Sequence, residues 1–284
     1  MSIAKLDQYG LLLASGADVR AFLHAQLTND IEHLAPGSAC YAGWCTAKGR
    51  LLATFLVVPH AGDYLLQLSR DLVPAVIKRL SMFILRSKVK LADASGQWTQ
   101  YGLWSAAPLA ELGLAAPAGA LQTSAANDAV AVRIDAQRFL VLAPRPGLIP
   151  DAPVEEWTLA EVRAGRPLIV QATQDQFVPQ MVNLELAGGV DFHKGCYPGQ
   201  EVVARAQYRG AVKRRMYRLR GASLRSGQDL YSDDTPGQAT GTVVNAAGDE
   251  ALAVLQVSAV ESGTPIRVQP NGAVLEPLAL PYSS

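Results

Sequence analysis

The stretch Phe192–Gly210, FHKGCYPGQEVVARAQYRG, decides how this chain is read. It holds Cys196, one of only three cysteines. Gly195 and Gly199 bracket the cysteine region, Gln200 and Glu201 follow, and then come Arg205 and Arg209. Glycine lets backbone approach a ligand closely and take positive φ. Lys194 and Arg205 could stabilise a thiolate at Cys196, and the thiolate is the reactive form of cysteine. The same residues also fit a tight turn with a half-buried thiol and solvated charges. Both readings stand at this point.

Working outward, the bulk properties narrow the field. The chain has 284 residues, 49% hydrophobic and 18% charged, enough for a sizeable core and roughly two domains. Its formal net charge is zero, so a broad nucleic-acid-gripping face is not expected, although a local basic patch is not excluded. The opening MSIAKLDQYG lacks a charged region followed by an apolar run, so no targeting segment is expected. The longest apolar run, Leu51–Val58 with Thr54 inside it, is far short of the ~18 residues of a membrane span. Cys40, Cys45 and Cys196 form no C-x-x-C pair, which points away from a disulfide framework and toward a reducing cytoplasm. His24, His33, His60 and His193 are scattered without a metal-ligand spacing, so no metal site is expected.

Along the chain, residues 6–13 fit a short strand. Asp18 is placed to cap a helix carrying Val19, Phe22, Leu23 and Leu27, which should end near Thr28-Asn29-Asp30. Lys48-Gly49-Arg50 reads as a tight turn into the strand Leu51–Val58, with a second strand at Tyr64–Leu68. Asp71 is a candidate cap for a helix whose apolar face is Val73, Val76, Ile77, Leu80 and Ile84. Further strands are expected near Val89–Leu91 and Gln100–Trp104, which together suggest an α+β unit. Residues 105–127, rich in Ala, Pro and Gly, read as a short helix or loose connection. Val130–Ile134 and Arg138–Leu142 look like a hairpin. Pro144, Pro146, Pro150 and Pro153 mark a boundary. Glu155–Ala164 reads as a helix ended by Gly165. After Gly210 the pattern shifts to short strands at 215–220, 239–244, 251–257 and 266–268, as in a small barrel or sandwich.

Several of these segments carry a family resemblance. Lys194-Gly195-Cys196-Tyr197-x-Gly199-Gln200-Glu201, followed by Arg205 and Tyr208-Arg209-Gly210, resembles the signature of the YgfZ family. That family comprises folate-binding proteins related to the T-protein (aminomethyltransferase) of the glycine cleavage system. Tyr9, Gly16-Ala17-Asp18, Phe22-Leu23 and Gln26-x-Thr28-Asn29-Asp30 resemble its opening, Phe177 to Leu184 its middle, and Glu276 to Ser283 its ending. The resemblance covers nearly the whole chain. It implies a T-protein-like α+β fold of three domains in a ring around a central hole. Residues 1–47 and 154–210 would form a discontinuous folate-binding domain, 48–153 an inserted ferredoxin-like domain, and 211–284 a C-terminal β-barrel.

The resemblance also implies a function. The chain would bind tetrahydrofolate or another reduced folate, with Tyr9 and Trp157 as aromatic walls. Tyr9 stands where close relatives carry Trp, keeping a ring but losing the indole N–H. The protein would support the assembly or repair of iron–sulfur enzymes, including those that thiolate tRNA, through transient contacts and an indirect tRNA link. Cys196 would carry thiol chemistry assisted by Lys194 and Arg205, with Gly195, Tyr197, Gly199, Gln200 and Glu201 completing the motif. A stable cluster on this chain alone is not expected, because cluster sites use several closely spaced cysteines.

Two alternatives come from other classes. One is a folate-dependent aminomethyltransferase. That enzyme uses an aspartate in the strand aligned with Leu51–Val58, where this chain has Ala53-Thr54-Phe55 and no acid between Arg50 and Asp63. Without a carboxylate the transfer loses its acid/base group. The other is an RNA-binding module built on Lys194, Arg205, Arg209, Lys213, Arg214, Arg215, Arg218 and Arg220, a local charge of +7 after Glu201. Arg214, Arg218 and Arg220 also share one face of a strand, which fits ordinary outward-pointing charge.

Overall fold

A computed structural model describes residues 2–210, 212–234 and 237–282. The family-like ending extends one residue further, to Ser283, which lies outside the described residues. The architecture is mixed α and β, with three antiparallel sheets. In spatial order the first sheet runs Cys40–Cys45, Leu51–His60, Asp63–Ser69, Tyr9–Ser15 and Lys90–Asp93. The second runs Ile3–Lys5, Thr99–Leu103, Phe139–Ala143, Ala129–Arg133 and Thr123–Ala126.

The apolar run Leu51–Val58 is buried at every position, because the first sheet is covered on both faces. One face, carrying Leu12, Ala14, Phe55, Val57, Leu66 and Leu68, packs with the helices Val19–Gln26 and Val73–Ser81. The other face, with Tyr9, Leu11, Leu56, Val58 and Leu65, packs on Val130, Val132, Leu140 and Leu142 of the second sheet. Trp157, from the helix Val154–Arg163, joins this second layer.

Strand pairing crosses the boundary expected at 47/48. Cys40–Cys45 and Leu51–Val57 pair as one hairpin around the Lys48-Gly49-Arg50 turn, so residues on both sides of it belong to one sheet. Residues 3–5 likewise join the second sheet beside Thr99–Leu103. Neither expected cap forms. The Asp18 carboxylate accepts from the Lys88 N–H at 2.6 Å, and Asp71 accepts from Ser69 Oγ and the Gln171 N–H. Residues 107–112 form a 3-10 turn, and Thr123–Ala126 is a strand that the weak pattern there does not signal.

The third sheet runs Ile266–Arg267, Asp229–Ser232, Ala239–Ala247, Glu250–Gln256, Arg214–Arg220 and Glu276–Leu278. A bridge between Arg267 and Val274, with Leu275 N–H donating to Ile266 O, ties the segment before the last strand back to the first. This sheet is fastened to the rest of the chain by polar contacts. Asn245 and the Leu168 backbone exchange two hydrogen bonds of 2.8 Å. Asn183 Nδ2 donates to Met216 O, and Tyr282 OH donates to Gly165 O.

Candidate functional site

The segment 192–210 is less of a loop than its sequence suggests. Gln200–Tyr208 is a helix, opened by Gly199 at φ +81°. A Cβ on Gly199 would sit 2.4 Å from Thr46 O and 2.6 Å from Gly49 Cα, so only glycine lets the motif dock on the Lys48-Gly49-Arg50 turn. Tyr197 is buried, and Gln200 N–H donates to Tyr197 O to close the turn before the helix. Gln180, fully buried, donates to Val203 O and holds the helix from beneath.

Lys194 has a structural assignment. Its ammonium is buried and donates to the carbonyls of His24 and Leu27, at and just beyond the C-terminal end of the helix Val19–Gln26. Cations placed at helix C-termini satisfy carbonyls that lack intrahelical partners. Burial pushes the Lys194 amine down to about 8, against the pull of Asp30 and Asp191. Cys196 is exposed, as are Gly195, Glu201 and Arg205, the last in the final turn of its helix. Cys40 and Cys45 are buried, and burial raises both thiols to about 12, which makes them inert at neutral pH.

Tyr9 and Trp157 do come together, in a cleft between the two facing sheets. Its lining includes Tyr41, Thr54, Gln67, Glu161, Arg166 and Leu168 as well. The cavity enclosed in the cleft is about 50 Å³, below the roughly 300–1,000 Å³ of small-molecule sites, so a ligand must lie partly in its open mouth or widen it. Trp157 is 3% exposed, and its indole lies against Gly102, where a Cβ would fall 2.2 Å from the ring. Trp104 meets it edge-on at 5.6 Å, and the Arg138 guanidinium stacks over it at 5.0 Å.

A charged network underlies this wall. Glu161 Oε1 accepts from Arg138 Nη1 at 2.7 Å and from Arg166 Nη1 at 2.8 Å. Arg138 also pairs with Asp135, and Arg166 donates to Ile134 O. Burial, and next the Glu161 carboxylate, push the Tyr9 phenol well above its ordinary range; burial does the same to Tyr41. Thr54, within the Ala53-Thr54-Phe55 segment discussed for the transferase aspartate, accepts from the Ile169 N–H at 3.1 Å.

None of the residues 192–210 lines this cleft. The sequence reading named Tyr9 and Trp157 as walls and Cys196 as a thiol, and the structure places that thiol outside the cleft lining. It missed Tyr41, Gln67, Glu161 and Arg166. The one local signal was the i,i+4 spacing of Trp157 and Glu161, which puts them on the same helix face. The basic stretch is partly neutralised, at three of its eight cations. Arg215 pairs with Glu185, Arg218 with Glu250, and Arg220 with Asp249, Glu250 and Glu276. Among the described residues no group of three or more His, Cys, Asp or Glu could hold a metal ion, and no helix is long and apolar enough to cross a membrane.

The fold is shared with a solved structure. A glycine cleavage system aminomethyltransferase T from Bartonella henselae superposes with a TM-score of 0.75 over 99% of this chain and 85% of its own, at 16% identity. No family model matches. Among sequences, the chain is 31% identical to the tRNA-modifying protein YgfZ of Photorhabdus laumondii and 30% identical to that of Klebsiella pneumoniae, each over the whole chain and 93% of the relative. The chain belongs to the YgfZ family.

Proposed function

We propose that this chain is a cytoplasmic folate-binding accessory protein that supports the assembly or repair of iron–sulfur enzymes, including those that thiolate tRNA. The observation that carries the folate half is the cleft of Tyr9, Tyr41 and Trp157 between facing sheets, whose aromatic walls and polar lining suit a pterin. The relatives are named for tRNA modification, and the structural neighbour is named an aminomethyltransferase. Cys196, exposed on a motif docked against the Lys48-Gly49-Arg50 turn, is the thiol available for transient chemistry with client proteins. Lys194 acts in this reading by fixing the motif to the first helix, and Arg205 by contributing charge at its surface. A three-part ring, with a C-terminal barrel from residue 211 onward, belongs to the same proposal.

The transferase reading is weaker because the strand discussed above carries no acid between Arg50 and Asp63, and its Thr54 is already bonded to the Ile169 N–H. The RNA-binding reading loses the three arginines that are paired with acids.

The test is a titration with folinic acid followed by tryptophan fluorescence, on the parent and on Tyr41→Ala. Saturable quenching that weakens in the variant is expected. No saturable quenching in the parent overturns the folate reading. Undiminished activity of iron–sulfur enzymes in cells carrying only Cys196→Ala overturns the thiol role.

A further inference from the structure

Residues 72–92, LVPAVIKRLSMFILRSKVKLA, hold five cations and no acid, in a chain whose formal net charge is zero. The five are Lys78, Arg79, Arg86, Lys88 and Lys90. All are exposed, and among the described residues none makes an ion pair or a side-chain hydrogen bond. Asp18 accepts from the backbone N–H of Lys88, not from its ammonium. Arg215, Arg218 and Arg220 differ, since each is held by an acid.

The same segment displays apolar surface. Met82 is 65% exposed, Phe83 43% and Leu85 87%. They follow the helix Val73–Ser81 in a tight turn, where the N–H groups of Met82, Phe83 and Ile84 donate to the carbonyls of Arg79, Leu80 and Ser81. Ile84 packs against the core, and Phe83 meets the buried Trp44 edge-on at 6.5 Å. The turn is therefore pinned from beneath while Met82 and Leu85 stay in solvent. Met82 lies four residues from Lys78 and three from Arg79, so both cations flank it. A single exposed apolar side chain is ordinary; three within four residues, on an anchored turn among unpaired cations, mark an interaction site.

We propose that this face docks a partner protein whose own surface has an apolar centre rimmed by Asp and Glu. Protein interfaces bury Met, aromatic and Arg side chains and keep polar groups at the rim. The unpaired cations would steer a negative partner to the turn. A nucleic acid would use the cations, but Met82 and Leu85 give it no stacking platform, and Phe83 is engaged with Trp44. A membrane-surface helix would lay its apolar face in lipid, whereas this helix buries Val73, Val76 and Leu80 within the protein. Lysine on a sheet edge discourages strand pairing, which accounts for Lys90 in the edge strand Lys90–Asp93 and for Lys88 beside it, but not for Lys78, Arg79 or Arg86. None of residues 72–92 lines the cleft, so the inference stands apart from the folate and thiol readings.

The experiment is a fluorescence anisotropy titration of the intact chain against a labelled helical peptide, with Leu at positions i, i+3, i+4 and i+7 and Glu elsewhere. The other arms are the same peptide with Lys for Glu, polyglutamate, tRNA, and phosphatidylcholine vesicles containing phosphatidylglycerol. The variants are Leu85→Ser and the double variant Arg79→Glu with Arg86→Glu, each checked by its melting temperature. The parent should bind the acidic peptide at least about tenfold more tightly than the Lys peptide or polyglutamate, and each variant should lose that margin. Added salt should weaken the binding.

Failure to bind the acidic peptide, or equal binding by the variants, overturns the inference. Polyglutamate bound as tightly as the peptide overturns the apolar centre. Tighter binding of tRNA or of vesicles, with the same dependence on Arg79 and Arg86, overturns the protein partner in favour of a nucleic acid or a membrane. Should the double variant not fold, Leu85→Ser, at the most exposed of the three apolar positions, decides the matter.

Discussion

Replacing Gly102 by alanine tests the cleft wall through its packing. Gly102 sits in the middle of the second sheet, paired with Ala4 on one side and Leu140 on the other. A Cβ there would lie 2.2, 2.6 and 2.7 Å from Cε3, Cδ2 and Cζ3 of Trp157. Carbon atoms at rest stand about 3.5–4.0 Å apart, so the indole must retreat by roughly 1 Å or more. It has little room, because Trp104 meets its edge and Arg138 stacks on it. Overpacking of this kind costs about 1–3 kcal/mol. At roughly 2–4 °C per kcal/mol for a chain of this size class, the melting temperature should fall by about 2–12 °C. The same ring movement reshapes the cleft, so folinic acid should bind more weakly. Gly96→Ala is the control, since no atom lies within 4 Å of its Cβ position. A melting curve for Gly102→Ala that overlays the parent's refutes the packing argument. Lowered stability with unchanged binding refutes Trp157 as a wall of the ligand site.

Other perturbations separate structure from chemistry. Lys194→Met leaves the His24 and Leu27 carbonyls bare and should cost about 1–3 kcal/mol per carbonyl in urea unfolding, whereas Cys196→Ala, at an exposed site, should be close to neutral. Because burial lowers the Lys194 amine from its ordinary 10.5 to about 8, the unfolded chain binds more protons between those values. Lys194 therefore makes stability rise with pH across that window, and the parent-minus-variant difference in unfolding free energy should show it. Glu250→Ala leaves Arg163, Arg218 and Arg220 facing one another without their shared buried carboxylate. The loss should be about 3 kcal/mol by chemical denaturation, the low end for a broken buried pair, because the guanidiniums reach solvent. Asn245→Asp turns the donor to Leu168 O into a second acceptor. It should lower the melting temperature and loosen the cleft wall at Leu168, read as weaker folinic acid binding.

The sequence was legible where burial imposes a pattern. Leu51–Val58 announced a strand, and Val73 with Val76 and Leu80 a helix. Gln200–Tyr208 buries only Val203, so no apolar stripe marked it as a helix. Thr123–Ala126 is an edge strand of small residues with no strand signature of its own. The capping reading failed at Asp18 and Asp71 because each carboxylate found a backbone N–H distant in sequence, at Lys88 and Gln171. The site divided the same way. Tyr9 and Trp157 were reached through resemblance, but Glu161 acquires its meaning from Arg138, Tyr9 and Tyr41, which lie on other elements. Lys194 was assigned to the neighbouring thiol, yet it serves a helix about 170 residues earlier in the chain. Proximity in sequence did not reveal these carbonyl partners, since only the fold sets which carbonyls need an ammonium.

The cleft and the thiol are separate, and one short segment spans the interval. Leu184 and Ala187 line the cleft. Gly188 and Gly189 are clasped next, their carbonyls accepting from Asn29 Nδ2 and Thr28 Oγ1. The same Thr28 oxygen accepts from the Gly43 N–H, and Asn29 also donates to Tyr41 O, so the clasp grips the strand that supplies a cleft wall. Asp191 then accepts from the N–H groups of His193 and Lys194, setting the turn that presents Cys196. The Gln-x-Thr-Asn-Asp cluster and the cysteine motif, far apart in sequence, are therefore two sides of one joint. A transferase needs its acid and its bound ligand in the same space. This chain has no acid between Arg50 and Asp63, the strand discussed for that acid, and it holds its exposed thiol outside the cleft lining.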